Sequence, residues 1–290
     1  MKRIITAVIL IPIVLWIVFA GPIWVMSLIC GLVAFLAQEE YCNIIEKHDL
    51  IPLRNSMRSI VILAFGSLAA ELSTTNFSQL GIVLISYLIL IILSLFSFPF
   101  LMVIGMRFEN LNKAFPSVGL SWLSGIYISI PLLLLTVIRS QQSGIFWVAF
   151  ILFTVWAGDI FAMYTGKAIG KHKLALKISP GKTWEGTIGS IIGSLLIGNA
   201  WFYLVTQQTI KIDPPDLLLI DIGKHDYILI SVITFIANIA SQFGDLVESM
   251  LKRGVDIKDS GNTLPGHGGI LDRIDALLFA VPAVFLFTLK

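Results

Sequence analysis

The sequence predicts an all-α fold, a polytopic integral membrane helix bundle of about nine transmembrane helices whose polar loops gather on the cytoplasmic face. Three observations carry that expectation. Hydrophobic residues make up 57% of the 290 residues, charged residues only 13%, and mean hydropathy is +0.90, whereas soluble domains are about a quarter charged. The apolar residues fall in runs long enough to cross about 30 Å of hydrocarbon. Basic residues lie mostly on one side of those runs, as the loops facing the cytoplasm do.

In order, the runs are 4–20, 22–37, 58–72, 80–106, 119–138, 145–164, 187–206, 228–248 and 275–289. Met1-Lys2-Arg3 ahead of the first resembles a signal peptide, but the long apolar core and a second run starting at Pro22 favour an uncleaved span. The 80–106 run is long and carries Pro99, which predicts a tilt, kink or break. Runs three and nine have the length of partial spans. With the N-terminus inside, the inner segments hold 16 of the 20 Lys and Arg, and the outer ones keep Arg139, Lys211, Lys224 and Lys290. The basic loop 165–186 and the polar stretch 249–274 are then two spans apart, on the same face.

The first 140 residues carry little chemistry. Cys30 and Cys42 have no disulfide or metal-ligand spacing and read as small buried residues. Gln38-Glu39-Glu40 ends the second run, where acids oppose the helix dipole, so a solvated interfacial position is expected. Asn76-Phe77-Ser78 matches a glycosylation sequon of the kind that arises by chance. Most tryptophans lie in or near span ends, as an interfacial belt.

The second half is different. Asp159 comes near the inner end of the sixth span, where an acid usually faces a polar cavity or pairs with a base. Lys167, Lys171, His172, Lys173, Lys177 and Lys182 follow as a cationic segment that anionic headgroups alone would explain. Ser179-Pro180 predicts a helix start, with Ser179 as cap, presenting free N–H groups to an anion beside Lys182 and Thr183. Gly181-Lys182-Thr183 is not a P-loop, since that pattern needs glycine where Leu176 stands.

Asp245, Ser249 and Lys252 are spaced to share one helix face, as are Asp272 and Asp275. In the first turn of the last span, Asp272 and Asp275 could also serve simply as helix caps. The stretch between these groups holds Arg253, Lys258, Arg273, His267 and five glycines, too sharply turned for a disordered linker. His267 could hydrogen-bond a phosphate or merely brace the loop. Acids suited to a hard divalent ion beside bases suited to phosphate are the parts of phosphoryl or nucleotidyl transfer.

The run Ser249-x-x-Lys252-Arg253-x4-Lys258-Asp259-x4-Leu264-Pro265-Gly266-His267-Gly268-Gly269-x-x-Asp272-Arg273-x-Asp275 resembles the signature of the phosphatidate cytidylyltransferases, the CDP-diacylglycerol synthases. Asp159, Ser179-Pro180, Lys182-Thr183-Trp184-Glu185-Gly186, Ser241-Gln242 and Gly244-Asp245 are similar to the same family's other recurrent stretches. Gly181 departs from it, standing where the family commonly has a second lysine.

The resemblance implies attack of the phosphate of phosphatidic acid on the α-phosphorus of CTP, giving CDP-diacylglycerol and pyrophosphate. It implies Mg²⁺, with or without a second cation, held by Asp245, Asp272 and Asp275. Asp245, Asp272, Lys252, Lys258 and His267 would be catalytic, and Ser179, Lys182, Thr183, Ser249, Arg253, Arg273 and Asp159 would bind substrate. Residues 1–140 would then be the lipid-facing and dimer-forming helices and 141–290 the catalytic part of one continuous membrane domain. A homodimer in a bacterial cytoplasmic (inner) membrane is expected, among membrane lipids, with the active site facing the cytoplasm and no nucleic-acid partner. A CTP-dependent lipid-alcohol kinase and a transporter remain the alternatives. A transporter should keep its ionisable groups near the bilayer midplane rather than on one face.

Overall fold

The computed structural model describes residues 2–73, 96–141, 143–207, 226–264, 266 and 268–288. Its elements are α1 (Lys2–Phe19), α2 (Ile23–Lys47), α3 (Arg54–Ser73), α4 (Ser97–Gly105), α5 (Leu111–Ser124) running through a π turn (Gly125–Ser129) into α6 (Ile130–Ser140), and α7 (Gly144–Ile169). A two-stranded hairpin, β1 (Lys173–Ala175) and β2 (Ser179–Thr183), precedes α8 (Trp184–Thr206), α9 (Tyr227–Arg253) and α10 (Leu271–Thr288).

Among the described residues six helices are long and apolar enough to cross a membrane: α2, α3, the continuous α5–α6, α7, α8 and α9. The runs expected at 4–20 and 275–289 are helical as well, as α1 and α10. Of the 80–106 run only α4 and its flanks are described; the sequon at Asn76 lies outside the described residues. The fold is thus an all-α membrane protein carrying one short β-hairpin that apolar periodicity did not reveal.

The chain forms two compact units, Met1–Ser140 with Gly254–Arg273, and Gln141–Arg253 with Ile274–Lys290. In the first, α2 and α3 approach closely. A Cβ at Gly31 would lie 2.8 Å from Phe65 Cβ, and Ser27 Oγ donates to the Phe65 carbonyl at 3.1 Å. Between α5 and α6 the Ile130 N–H reaches back to the Gly125 carbonyl. Pro131 follows directly; it lacks an N–H and crowds the preceding turn, and the widened turn absorbs that misfit. Gln38 Nε2 donates into this turn at Ser129 Oγ, 3.1 Å away. Arg139 Nε donates to the Val18 carbonyl at 2.9 Å, serving one of the carbonyls that the end of α1 leaves without a helical partner.

The polar end of α2 corrects an expectation. The helix does not stop at the end of its apolar run but continues to Lys47, so Glu39 and Glu40 sit within it rather than at a solvated terminus. Glu39 receives Arg58 through Nε at 2.6 Å and Nη2 at 2.8 Å, and Arg54 Nη1 at 2.9 Å. Glu40 is only 3% exposed. Loop partners more than 200 residues away, described below, compensate its burial.

In the second unit α7 and α8 meet through small residues. A Cβ at Gly158 would lie 2.7 Å from Asn238 Nδ2 and 2.8 Å from Ser194 Oγ, and one at Gly189 would collide with Thr165. At the other end of this helix pair Phe146 stacks with Phe150 and Trp201, and Trp147 and Phe202 meet it edge to face. Trp201 satisfies its buried N–H on the Phe146 carbonyl at 3.2 Å.

Candidate active site

The hairpin and α8 set the first half of the site. Lys173 pairs opposite Thr183 and Ala175 opposite Ser179, and the Trp184 N–H closes onto the His172 carbonyl at 2.9 Å. The helix therefore begins four residues later than the Ser179-Pro180 signal predicts, and Ser179 is not its cap. Proline suits an edge strand as well as a helix start. What decides is Thr183, extended at φ −132°, ψ 153°, whose Oγ1 accepts the Gly186 N–H at 3.1 Å. Thr183 is thereby the N-cap, and Lys182, at the end of the strand, points into a cleft.

That cleft, about 310 Å³, is lined by Asp159 and Lys167 from α7, Lys182 and Thr183 from the hairpin, and Gln242 and Asp245 from α9, among others. Lys182 Nζ pairs with Asp245 Oδ2 at 2.8 Å, and Ser249 Oγ donates to Asp245 Oδ1 at 3.3 Å. The basic segment and the end of the eighth expected span are thus brought together within one unit. Arg253 Nε also contacts the hairpin, at the Ile178 carbonyl, 3.4 Å away. Lys252 is not aligned with Asp245 and Ser249 alone, for it pairs one helical turn back with the fully buried Glu248.

Beneath the cleft lies a polar network that the sequence reading missed. Asn238, 1% exposed, donates to Ser190 Oγ at 2.8 Å and Ser194 Oγ at 2.7 Å, and accepts from Gln242 Nε2 at 2.6 Å. The signal available was an amide inside an apolar run, a placement that is expensive unless partnered.

Asp275, on α10, has Asp159 and Asp245 near enough to repel its carboxylate and Lys252 near enough to attract it. Among the described residues no three or more His, Cys, Asp or Glu are arranged to hold a metal ion by themselves. Asp245 and Asp275 would offer one or two carboxylates, the number that a hard ion such as Mg²⁺ uses when phosphate oxygens and water complete its shell.

Asp272, in the other unit, has a local duty. Its Oδ2 accepts the Ser260 N–H at 2.9 Å and the Gly269 N–H at 2.8 Å, bracing the loop that precedes α10. In the same loop Leu264 donates to the Gly268 carbonyl at 3.0 Å. Gly266 and Gly268 take φ of 77° and 81°, a region that side chains disfavour. Lys258 is exposed on this loop and Arg273 in the first turn of α10; Pro265 and His267 lie outside the described residues.

Glu40 gathers both ends of the loop. Its Oε1 accepts from Thr263 Oγ1 at 2.5 Å and Ile270 N–H at 2.9 Å, and its Oε2 from Ser260 Oγ at 2.9 Å and Leu271 N–H at 2.9 Å. Nothing near residue 40 in the sequence announces partners beyond residue 259.

The sequence matches the family model described as the cytidylyltransferase family over residues 1–289. Curated relatives include the phosphatidate cytidylyltransferases of Bacillus subtilis (strain 168), 40% identical over 172 residues, and of Haemophilus influenzae, 40% identical over 139 residues. Those alignments cover 59% and 48% of this chain and span 58% and 44% of the relatives, about half their length. The phosphatidate cytidylyltransferase of Staphylococcus saprophyticus is 31% identical over 293 residues, covering 99% of this chain and 98% of its own. Matched over residues 1–289 and 31% identical to a relative over nearly the full length of both, the chain belongs to the cytidylyltransferase family.

Proposed function

We propose that this protein is the membrane nucleotidyltransferase that condenses CTP with phosphatidic acid, giving CDP-diacylglycerol and pyrophosphate in phospholipid biosynthesis. The observation that carries the reading is the cleft in which Lys182 meets Asp245, among the ends of apolar helices. A nucleotide arrives from water and a two-chain lipid from the bilayer, so their shared site belongs where such helices end in charge.

The nucleophile is an oxygen of the phosphatidate phosphate. A phosphate monoester has its second pKa near 6 and is already an oxyanion at neutral pH, so the reaction requires no general base from the chain. The obstacle is repulsion between two polyanions. Lys182, Lys167 and Thr183 offer charge and a hydroxyl to phosphate oxygens in the cleft. Arg253 at the end of α9, Lys258 on the loop that follows and Arg273 in the first turn of α10 are assigned to the remaining phosphates, as the family resemblance implies. As the α-phosphorus bond to the incoming oxygen forms, the bond to the bridging oxygen breaks and pyrophosphate leaves with that electron pair. Mg²⁺ bound through Asp245 and Asp275, with Asp272 as a further ligand, would offset charge on the phosphate oxygens. Asp159 keeps the local field negative opposite the cations.

We assign the protein to a bacterial cytoplasmic membrane with this cleft facing the cytoplasm, on the basis of the inner-side excess of Lys and Arg, and to a homodimer on the family resemblance alone. The test is nucleotide turnover with the lipid varied. The purified protein should release pyrophosphate from CTP and Mg²⁺ only when phosphatidic acid is present, leaving CMP attached to the lipid. Free CDP with a polyprenol acceptor would instead identify a kinase, and solute flux without turnover a transporter.

A further inference from the structure

We infer that Glu40, on the second helix and remote in sequence from every signature residue, is a positioning residue for the transfer reaction. It is the anchor that sets the 254–273 loop in its working geometry, and the inference rests on the reading that this loop serves the site.

A buried carboxylate that accepts four hydrogen bonds, two per oxygen, has its lone-pair directions filled. Two donors, Ser260 Oγ and Thr263 Oγ1, belong to the incoming limb of the loop. The other two, the Ile270 and Leu271 N–H groups, are among those that the start of α10 leaves without helical partners. Glu40 therefore ties the limb just after Lys258 to the turn just before Asp272 and Arg273. It also places a negative charge at the positive end of α10.

The loop is shaped around this contact. A Cβ at Gly261 would lie 2.7 Å from Glu40 Oε1, and one at Gly269 would collide with Oε2. Ser260 links the anchor to Asp272, giving its hydroxyl to Glu40 and its N–H to the Asp272 carboxylate. Each bond is charge-assisted and sheltered, so loss of the anchor releases a set of contacts rather than one. Since a displacement of about 1 Å at reacting groups costs on the order of 10²-fold in rate, a freed loop should be seen in turnover.

The experiment compares Glu40→Gln, Lys258→Ala and the double variant in detergent-purified full-length protein. It measures kcat, KM for CTP and thermal melting. Glutamine keeps the shape but turns an NH₂ group toward two donors. The expected result is a fall in kcat on the order of 10²-fold, with KM for CTP changed only a few-fold and the melting transition still cooperative. Lys258→Ala should cost far less in the Glu40→Gln background than in wild type, because the loop is already displaced.

Additive losses, or wild-type kcat in Glu40→Gln beside an impaired Lys258→Ala, would overturn the inference while leaving the loop in the site. An unimpaired Lys258→Ala would overturn the loop's place in the reaction, and the inference with it. Should Glu40→Gln fail to accumulate, Ser260→Ala and Thr263→Ala remove one donor each and leave the carboxylate in place. Both should then lower kcat and couple to Lys258→Ala, and independence in both variants refutes the anchor.

Discussion

Replacing Lys182 by methionine separates what the cleft's ion pair does for stability from what it does for transfer. Lys182 Nζ lies 2.8 Å from Asp245 Oδ2, with the two side chains 24% and 36% exposed. Methionine keeps most of the apolar stem and removes the charge. At this exposure solvent screening holds the pair to about 0.2–1 kcal/mol, and for a chain of this size a loss of 1 kcal/mol lowers Tm by about 2–4 °C. A cation aimed at developing phosphate charge contributes far more, about 2.7–4 kcal/mol or 10²–10³ in kcat by analogy with oxyanion stabilisers. The assay is pyrophosphate release at saturating Mg²⁺, run beside thermal melting of the same preparation. Lys182→Met should fall by at least 10²-fold in kcat while melting within about 4 °C of wild type. Activity that declines only in proportion to the unfolded fraction, or that does not decline, would refute the assignment of Lys182 to the phosphates.

Thr183→Ala removes the cap of α8 and should cost about 1 kcal/mol, with Thr183→Ser near wild type in a denaturation series. Gly158→Ala forces a methyl among Asn238, Ser190 and Ser194 and should destabilise by about 1–3 kcal/mol, seen as lower Tm and yield. Asp272→Asn can keep both N–H bonds from Ser260 and Gly269 on its remaining oxygen, so it should stay folded and inserted. Loss of turnover at ordinary Mg²⁺ is expected, and retained turnover would remove Asp272 from the ligand set.

What the sequence disclosed and what it hid divide along physical lines. Membrane class and helix positions follow from run length and composition, and the helices at Gly144–Ile169, Trp184–Thr206 and Tyr227–Arg253 fall on the runs that predict them. The pairing of Lys182 with Asp245 was within reach, since the expected span order returns both segments to one face. Ser179 was misread because local preference allows a helix start there, whereas the pairing of β1 with β2 and the Thr183 cap delay it to Trp184. Glu40 and Asn238 were missed for another reason. Each is a polar residue whose meaning lies in partners 44 to 231 residues away, and no window along the chain contains both sides of such a contact.

The close seam between α7 and α8 has a thermodynamic consequence for ligand capture. Where glycine and small hydroxyl residues join two helices, few torsions remain to be frozen when a guest arrives. Asp159 and Lys167 on one helix, and Thr183 at the start of the other, are therefore held on a frame whose disorder was removed during folding. On the proposed function, the entropy lost on association would fall, for the protein's share, mainly on its lysine side chains, and otherwise on the incoming nucleotide and lipid.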